Sequence, residues 1–170
     1  LHSTSRRQRQ MCIRDRQKDF NKNDAQKVID YLQKGGKAII VGMHSETEMP
    51  NFASILDTYG VSLTTGPIAD NDAQHYYNMG GPLYLLPNVN SSSYTGSLSG
   101  GYVYLPISLG INYPQNSTTD DTESTEESKT TYTSLLDTSD DAVAKNNPNS
   151  MQDYGYEDGD DKGPFSVGLA

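Results

Sequence analysis

The apolar residues near the start of the chain recur with helical spacing. Four of them stand at positions i, i+3, i+4 and i+7, namely Ala25, Val28, Ile29 and Leu32. This spacing predicts an amphipathic helix with one buried face. We expect Asn23 or Asp24 to cap the start of that helix and the pair Gly35 and Gly36 to end it, because glycine readily adopts the left-handed conformation that follows many helices.

A short apolar run and a second helical stripe follow. Residues 37–43 are almost continuously apolar, which is typical of a strand buried on both faces of a parallel sheet. Pro50 favours the first turn of a second helix, and Gly60 favours its end. The apolar stripe of that helix consists of Phe52, Ile55, Leu56 and Tyr59. Since residues 61–65 predict another strand, the alternation predicts an α/β fold of layers around a mostly parallel sheet.

The remaining strand signals are weaker and lie between polar stretches. Residues 83–86 and 102–105 are short apolar runs bordered by proline, so we predict two strands there, with a loop over residues 88–99 between them. Residues 135–136 predict a brief return to the core, before another polar run that extends through Asn149.

Composition divides the chain into four parts. Residues 1–16 form a basic leader, residues 17–114 the first part of the α/β domain, residues 115–131 an acidic insertion, and residues 132–170 the remainder of the domain. The insertion contains no apolar side chain, so it cannot offset the entropy of ordering and we expect it to be disordered. Residues 163–170 begin a strand and then stop, so we expect a domain fragment that is cut at both ends.

Charge excludes some classes of function. The 170 residues include 13 Lys plus Arg and 22 Asp plus Glu, a net charge of −9. All five arginines lie in residues 1–16, so the rest of the chain carries eight Lys against 21 acids, a net charge of −13. This balance argues against a nucleic-acid partner, because phosphates are held by clustered Lys and Arg. No apolar stretch approaches the roughly 18 to 20 residues that cross a bilayer, so we expect no membrane span within this sequence.

Two interpretations of the basic leader remain open. Its arginines are suited to an arm that binds an anionic partner. The segment also resembles translated read-through of a sequencing adapter, and we favour that artefact because the leader lacks the apolar core of at least about 7 residues that a signal peptide needs. Cys12, the only cysteine, belongs to this leader. The body therefore holds no disulfide framework and no cysteine-based zinc cage.

Motifs for catalysis and nucleotide binding fail at the residues that they need. Residues 96–100 have the glycines of a nucleophile elbow, but Leu98 stands where the serine belongs. Residues 96–103 have the glycine spacing of a phosphate-binding loop, but tyrosine and valine replace its lysine and its hydroxyl residue. No Gly-x-Gly-x-x-Gly follows a predicted strand. We therefore expect no cofactor and no catalytic residue.

One polar cluster lies where ligands bind in open α/β sheets, just after the predicted buried strand. It consists of His44, Ser45 and Glu46, which form a candidate ligand rim. In an enzyme, His44 would be the general base and Glu46 the acid that orients it. No nucleophile lies nearby in the sequence, so we favour a solvated loop over this catalytic role.

Acidic residues near the end of the chain form a second candidate. They are Asp153, Glu157, Asp158, Asp160 and Asp161. Hard oxygen ligands suit calcium, but their spacing does not fit the 12-residue loop of a helix-loop-helix calcium site. We favour a solvated acidic loop and predict no metal site, which leaves a calcium-dependent adhesion module as the weakest functional alternative.

Several blocks of the sequence occur in the order seen in a known family. Residues 19–41 contain an acidic residue, a helix with Tyr-Leu, a Gly-Gly pair and a strand, and residues 50–61 continue with a helix and a strand. Residues 135–139 and 162–165 supply a Leu-Leu-Asp-Thr-Ser block and a Lys-Gly-Pro-Phe block. Its motif residues are Gly35, Gly36, Pro50, Gly60, Gly163 and Pro164. The chain thereby resembles the auxiliary component of ABC-type transport systems related to gliding-motility proteins.

The resemblance implies a non-catalytic domain at the extracytoplasmic face of the bacterial cell membrane, tethered by helices outside this sequence. Its fold would be Rossmann-like and distantly similar to class I glutamine-amidotransferases, and its partners would be an ABC permease and an ATPase. Amidotransferase chemistry needs an activated cysteine thiolate, which residues 17–170 lack. The alternative function is a small-molecule or sugar-binding α/β enzyme domain that uses His44 and Glu46.

Overall fold

The computed structural model of this chain describes residues 11–13, 18–45, 47–98, 101–114, 130–147 and 153–170. The chain divides into two compact units. The first comprises Leu1–Val41 and Ser45–Thr58, and the second comprises Gly42–His44 and Tyr59–Ala170. In the described residues, neither helix is long and apolar enough to cross a membrane.

The first unit consists of two helices and a small parallel sheet. Its elements are β1 (Met11–Ile13), α1 (Lys22–Gln33), β2 (Ala38–Ile40) and α2 (Pro50–Asp57). Strands β1 and β2 pair in parallel. The helices share a core whose buried members are Phe20, Ala25, Val28 and Ile55. Because apolar burial drives this packing, the two helices stabilise each other through the predicted stripes.

Helix α1 confirms the predicted apolar face but begins earlier than expected. Asn21, rather than Asn23 or Asp24, is the capping residue, and its side-chain oxygen accepts a hydrogen bond of 2.9 Å from the backbone N–H of Asp24. After the last turn, Gly35 adopts the left-handed conformation with φ of 81°, as its position predicted.

Helix α2 begins at Pro50, as predicted, but an aspartate distant in the sequence caps it. The carboxylate of Asp19 accepts hydrogen bonds of 2.9 Å from the backbone N–H groups of both Asn51 and Phe52. Burial raises the pKa of the Asp19 carboxyl, but these N–H donors outweigh burial and hold the pKa below its ordinary value. Asp19 therefore satisfies backbone donors that the residue before the helix, Met49, leaves without a side-chain partner.

The second unit is built from strands. In the described residues these are β3 (Ser62–Asp70), β4 (Tyr84–Leu85), β5 (Asn88–Val89), β6 (Leu105–Pro106), β7 (Leu109–Asn112), β8 (Ser134–Asp137), β9 (Ala142–Ala144), β10 (Asp161–Lys162) and β11 (Ser166–Leu169). Seven of them form one sheet in the order β10-β9-β3-β7-β11-β8-β5, and β4 pairs with β6. Every pairing in these two sheets is antiparallel.

The long strand β3 holds the centre of this sheet. It pairs with β9 through Ile68 opposite Ala144 and with β7 through Leu63 opposite Ile111. The buried core beneath it consists of Ile68, Leu85, Ala142, Ala144 and Phe165. Strand β3 thus pairs with a segment, β9, that lies more than 70 residues further along the sequence.

The predicted parallel α/β fold is wrong. The described chain is mainly antiparallel sheet with two short helices, and it is not Rossmann-like or amidotransferase-like. The apolar run at 37–43 contributes only the three-residue strand β2, and Ile39 and Val41 are 55% and 48% exposed rather than buried on both faces. An apolar run does not specify which strands or helices pack against it. The sequence of residues 37–43 therefore predicted a fully buried strand that the chain does not form.

Several other element predictions can be compared with the structure. Strand β4 lies within the predicted strand 83–86, whereas the segment predicted at 102–105 contributes only Leu105 to β6. The predicted loop contains β5, and the predicted polar run through Asn149 contains the buried strand β9. The disordered insertion predicted at 115–131 and most of the basic leader lie outside the described residues.

Candidate functional site

Four neighbouring strands place a row of side chains at one edge of the large sheet. Ser166 of β11 stands opposite both Ile111 of β7 and Asp137 of β8, and Asp137 in turn stands opposite Asn88 of β5. Because adjacent strands are about 4.8 Å apart, this row spans about 14 Å. Residues opposite each other point to the same face of a sheet, so the row forms one continuous surface.

A cleft of about 510 Å³ opens over this row. We call it the edge cleft. Its lining residues are Asn88, Asn90, Ile111, Asn112, Tyr113, Asp137, Thr138, Asp140, Pro164, Phe165 and Ser166. All of them belong to the second unit. The volume lies in the range of small-molecule sites, about 300 to 1,000 Å³.

Asp137 is the carboxylate held most firmly in the edge cleft. One of its oxygens, Oδ2, accepts a hydrogen bond of 2.5 Å from the side-chain amide of Asn90. The other, Oδ1, accepts one of 2.5 Å from the hydroxyl of Ser134. An ionised carboxylate has about four acceptor positions, so each oxygen of Asp137 can accept a further bond. Its orientation is therefore set before any ligand arrives.

The side chain of Asn88 connects the edge cleft to a histidine. Its Oδ1 lies 3.2 Å from Nε2 of His75, and Nδ1 of His75 lies 3.0 Å from Oδ2 of Asp72. The backbone N–H of Gln74 also donates to Asp72 and, with His75, lowers the pKa of the Asp72 carboxyl. Since the amide oxygen of Asn88 lies next to Nε2 of His75, the NH₂ group of Asn88 lies on the side of its amide away from the histidine.

The aromatic wall of the edge cleft is supported from behind. The rings of Tyr113 and Tyr132 lie with their centroids 5.8 Å apart. The hydroxyl of Tyr132 donates a hydrogen bond of 2.5 Å to the backbone carbonyl of Tyr59. Packing of this kind restricts the ring of Tyr113 without using its hydroxyl.

The charge of the edge cleft is negative. Asp137 and Asp140 are carboxylates, and no Lys, Arg or His stands among the described lining residues. The chain as a whole carries a net charge of −9. An anionic ligand would meet repulsion and no fixed positive charge, so the chemistry of the cleft suits uncharged or cationic molecules.

A second polar cluster is buried and serves the fold. The ammonium of Lys145, whose side chain is fully buried, donates to the Gly155 carbonyl at 2.8 Å, to Asp160 Oδ2 at 2.6 Å and to Glu157 Oε2 at 3.4 Å. Burial lowers the pKa of Lys145 and raises that of Asp160. Their shared hydrogen bond and opposite charges, together with Glu157 beside Lys145 and the N–H groups of Glu157 and Asn146 beside Asp160, outweigh burial, so the pKa of Lys145 lies above its ordinary value and that of Asp160 below. All three ammonium hydrogens have partners, so Lys145 is positioned as a structural anchor.

Of the candidate rim predicted at residues 44–46, His44 and Ser45 do not line the edge cleft. His44 is half-buried, and its Nδ1 makes no hydrogen bond to a described residue. The hydroxyl of Ser45 bonds locally to the backbone of Thr47, and Glu46 lies outside the described residues. The predicted pairing of His44 with Glu46 therefore stays a prediction.

The acidic loop differs from the expected solvated segment at one residue. Asp153, Asp158 and Asp161 are exposed, but Asp160 is buried on Lys145. In the described part of the chain, no three His, Cys, Asp or Glu residues are placed to hold a metal ion. Among the motif residues, Gly60 has φ of 64°, Gly163 and Pro164 share a cis peptide bond, and Pro164 lines the edge cleft.

The edge cleft itself was missed in the sequence. Its residues come from four segments between positions 88 and 166, and only the strand register brings them together. Two of these segments overlap the blocks 135–139 and 162–165, which in the sequence supported only the family resemblance. Asn90, Tyr113 and Thr138 each follow directly on a short strand, where ligand-binding residues concentrate, but the sequence predicted no strand before Asn90 or Tyr113.

Compared with known protein families, curated proteins and solved structures, the chain shows no significant match.

Proposed function

We propose that this protein is a non-catalytic domain that binds a small ligand without negative charge in the edge cleft. The observation that carries the proposal is the cleft of about 510 Å³ above the row of Asn88, Asp137 and Ser166. Its polar side chains converge from four strands, and rigid strands position a site better than loops do. Binding sites commonly combine such polar groups with an aromatic wall.

The surroundings of the cleft hydroxyl support binding without catalysis. The hydroxyl of Ser166 lies 2.9 Å from the hydroxyl of Ser134 and donates to the carbonyl of Gly168 at 3.2 Å. Neither partner is a base, whereas a nucleophilic serine needs an adjacent general base to lose its proton. The carboxylate of Asp137 accepts from Asn90 and Ser134 and makes no hydrogen bond to the hydroxyl of Ser166 in the described residues.

The transport context of the proposal comes from the family resemblance. We propose that the domain acts at the extracytoplasmic face of the bacterial cell membrane, beside an ABC permease and an ATPase. Binding a small molecule there would present it to, or sense it for, the permease. The blocks at 135–139 and 162–165 support this assignment, because they contain both family-like residues and residues that line the cleft.

Thermal shift and calorimetry test ligand binding. A library of sugars, amines, amino acids and organic acids should contain a compound that raises the Tm of the purified protein. At 100 times Kd, a ligand that binds only the folded state adds about 2.7 kcal/mol to stability. The bound compound should be recovered chemically unchanged after prolonged incubation. Turnover of that compound would contradict the non-catalytic assignment.

Co-purification tests the transport context separately. The full-length protein, tagged and expressed from its native locus, should bring down an ABC permease and an ATPase from solubilised membranes. A tagged, unrelated membrane protein of similar abundance is the matched control. If neither subunit is enriched over that control, the transport assignment is wrong, while ligand binding in the edge cleft is decided by the first experiment.

A further inference from the structure

We infer that the ligand of the edge cleft is an uncharged sugar, whose adjacent hydroxyl groups bind Asp137. This inference rests on the proposed function, because it names the chemical class that the same site takes. It follows from a count of the donors and acceptors that the lining residues still have available.

Asn90 and Asp137 supply the fixed hydrogen-bond acceptors of the edge cleft. Both amide hydrogens of Asn90 are used, since its Nδ2 donates to the Ser134 carbonyl at 3.2 Å and to Asp137 at 2.5 Å. Both of these partners are acceptors, so the amide orientation is fixed and the Oδ1 of Asn90 remains to accept. Each oxygen of Asp137 retains acceptor capacity beside its present bond. The cleft thus presents a fixed carboxylate and a fixed amide oxygen as neighbours.

Donors stand on either side of these acceptors. The amide oxygen of Asn88 faces His75, which leaves the NH₂ group of Asn88 as its available part. The side chain of Asn112 is exposed, that of Tyr113 is half-buried, and neither the Asn112 amide nor the Tyr113 hydroxyl makes a hydrogen bond to a described residue. The cleft therefore offers amide and phenol donors together with carboxylate and amide acceptors.

Only a ligand that both donates and accepts can satisfy such a mixed set. A cationic amine donates and does not accept, so it would use the acceptors of the cleft and make no hydrogen bond with the NH₂ group of Asn88. An anion accepts, but it would face Asp137 and Asp140 with no positive side chain in the described lining. A hydroxyl group does both, and two adjacent hydroxyls can each donate to one oxygen of the Asp137 carboxylate.

The apolar lining of the cleft suits the faces of a sugar ring. The ring of Tyr113 and the side chain of Ile111 supply apolar surface beside the polar row. A sugar has the same division, with carbon-bound hydrogens on its faces and hydroxyls around its rim. Tyrosine suits such a surface because its body is apolar and its tip is polar.

The test is a calorimetric titration panel of four chemical classes at one ionic strength. The panel contains neutral mono- and disaccharides, amino sugars, uronic acids and simple aliphatic diamines. We expect binding by at least one neutral sugar and none by the uronic acids. Binding confined to amines, or to uronic acids, would overturn the inference and leave the proposed ligand-binding function intact. If no compound of any class binds, the proposed function fails and the inference fails with it.

Two variants locate the bound sugar. Asp137→Asn should raise its Kd at least tenfold, because hydrogen bonds to a charged group are stronger than those to an amide. Asn112→Ala should raise the Kd about threefold to tenfold and leaves folding unaffected, since this side chain is exposed. Asp158→Asn makes the same chemical change as Asp137→Asn at an exposed residue outside the cleft and should leave the Kd unchanged. An unchanged Kd in both cleft variants would overturn the inference.

Discussion

At the residue scale, Asp19 shows how one carboxylate supports an element more than 30 positions away. Its oxygens accept from the backbone of Asn51 and Phe52, from the side chain of Asn51 and from the N–H of Phe20. Negative charge at the N-terminus of a helix is also favourable to the helix dipole. The carboxylate therefore joins the segment before α1 to the start of α2 within the first unit.

Removal of this cap should destabilise the first unit. We expect Asp19→Ala to lower the free energy of unfolding by about 1 to 2 kcal/mol, the typical loss when a capping side chain is removed. Urea unfolding followed by circular dichroism measures the change. Asp57→Ala, at the exposed C-terminal end of α2, is the matched control and should change stability by less than about 0.5 kcal/mol. Equal effects of the two variants would show that Asp19 does not cap α2.

At the element scale, the crossing of β3 with the segment after β9 leaves no space for a side chain. A Cβ atom built on Gly66 would lie 1.7 Å from the carbonyl oxygen of Lys145. The backbone N–H of Lys145 donates to the Pro67 carbonyl at 3.0 Å, so the two backbones are held in contact. Glycine at position 66 thus permits the pairing that places Lys145 inside the unit.

Gly66→Ala should disturb this contact strongly. The neighbouring atoms are backbone, which cannot rotate away, so we expect a loss of at least about 3 kcal/mol in the free energy of unfolding. Gly96→Ala is the matched control, because a Cβ at Gly96 meets nothing within 4 Å. Chemical denaturation of both variants measures the difference. A loss below about 1 kcal/mol for Gly66→Ala would mean that β3 and β9 are not paired in this way.

Strand pairing also forms the edge cleft. In an antiparallel sheet, the end of one strand lies beside the start of the next, so β7, β11, β8 and β5 bring residues from distant segments to one edge. A shift of any one strand by a single residue would turn its cleft residue to the opposite face. The site is therefore a consequence of register.

At the scale of the whole molecule, the buried pair of Lys145 and Asp160 couples folding of the second unit to pH. The Asp160 carboxylate also accepts from the backbone N–H groups of Asn146 and Glu157, so its charged form has three hydrogen-bond donors. Breaking a buried pair by removing one charge typically costs about 3 to 5 kcal/mol. The pair therefore holds the loop that contains Gly155, Glu157 and Asp160 against Lys145.

Stability should be greatest near neutral pH and fall at both extremes. The folded-state pKa of Asp160 is below 3.8, so its contribution is present above that pH and is lost as pH falls through the folded-state value. Asp19 and its lowered pKa add to this acid limb. The folded-state pKa of Lys145 is above 10.5, so its contribution is present below that pH and is lost as pH rises through the folded-state value. Urea midpoints between pH 3 and 11 measure both limbs.

Variants of Lys145 and Asp160 measure how much this pair contributes to the dependence of stability on pH. Asp160→Asn should reduce the acid limb, and Lys145→Met should reduce the alkaline limb, in addition to lowering stability at neutral pH. Lys34→Met, at an exposed residue after α1, should leave the profile unchanged. If the stability of Asp160→Asn and of Lys145→Met depends on pH in the same way as that of the unsubstituted protein, this account is wrong.

Local signals in the sequence predicted the helices well. The stripe of Ala25 and Val28, proline at the start of α2 and glycine after α1 all act within a few residues, and the structure has them where the spacing predicts. The strand pairings were not predictable in this way. Strand β9 is a three-residue apolar stretch within a polar run, and its buried residues pair with Ile68, Ala69 and Asp70 of β3, more than 70 positions away.

By itself, the amino-acid sequence determined the two helices, the acidic charge and the absence of a thiol after the leader, because these depend on residue identity and short spacing. Tertiary structure alone decided that the sheet is antiparallel, that Asp160 is buried on Lys145, and that Asn88, Asp137 and Ser166 share one cleft. The physical reason is that strand pairing and burial are set by contacts between segments far apart in the chain, whose partners no local pattern specifies.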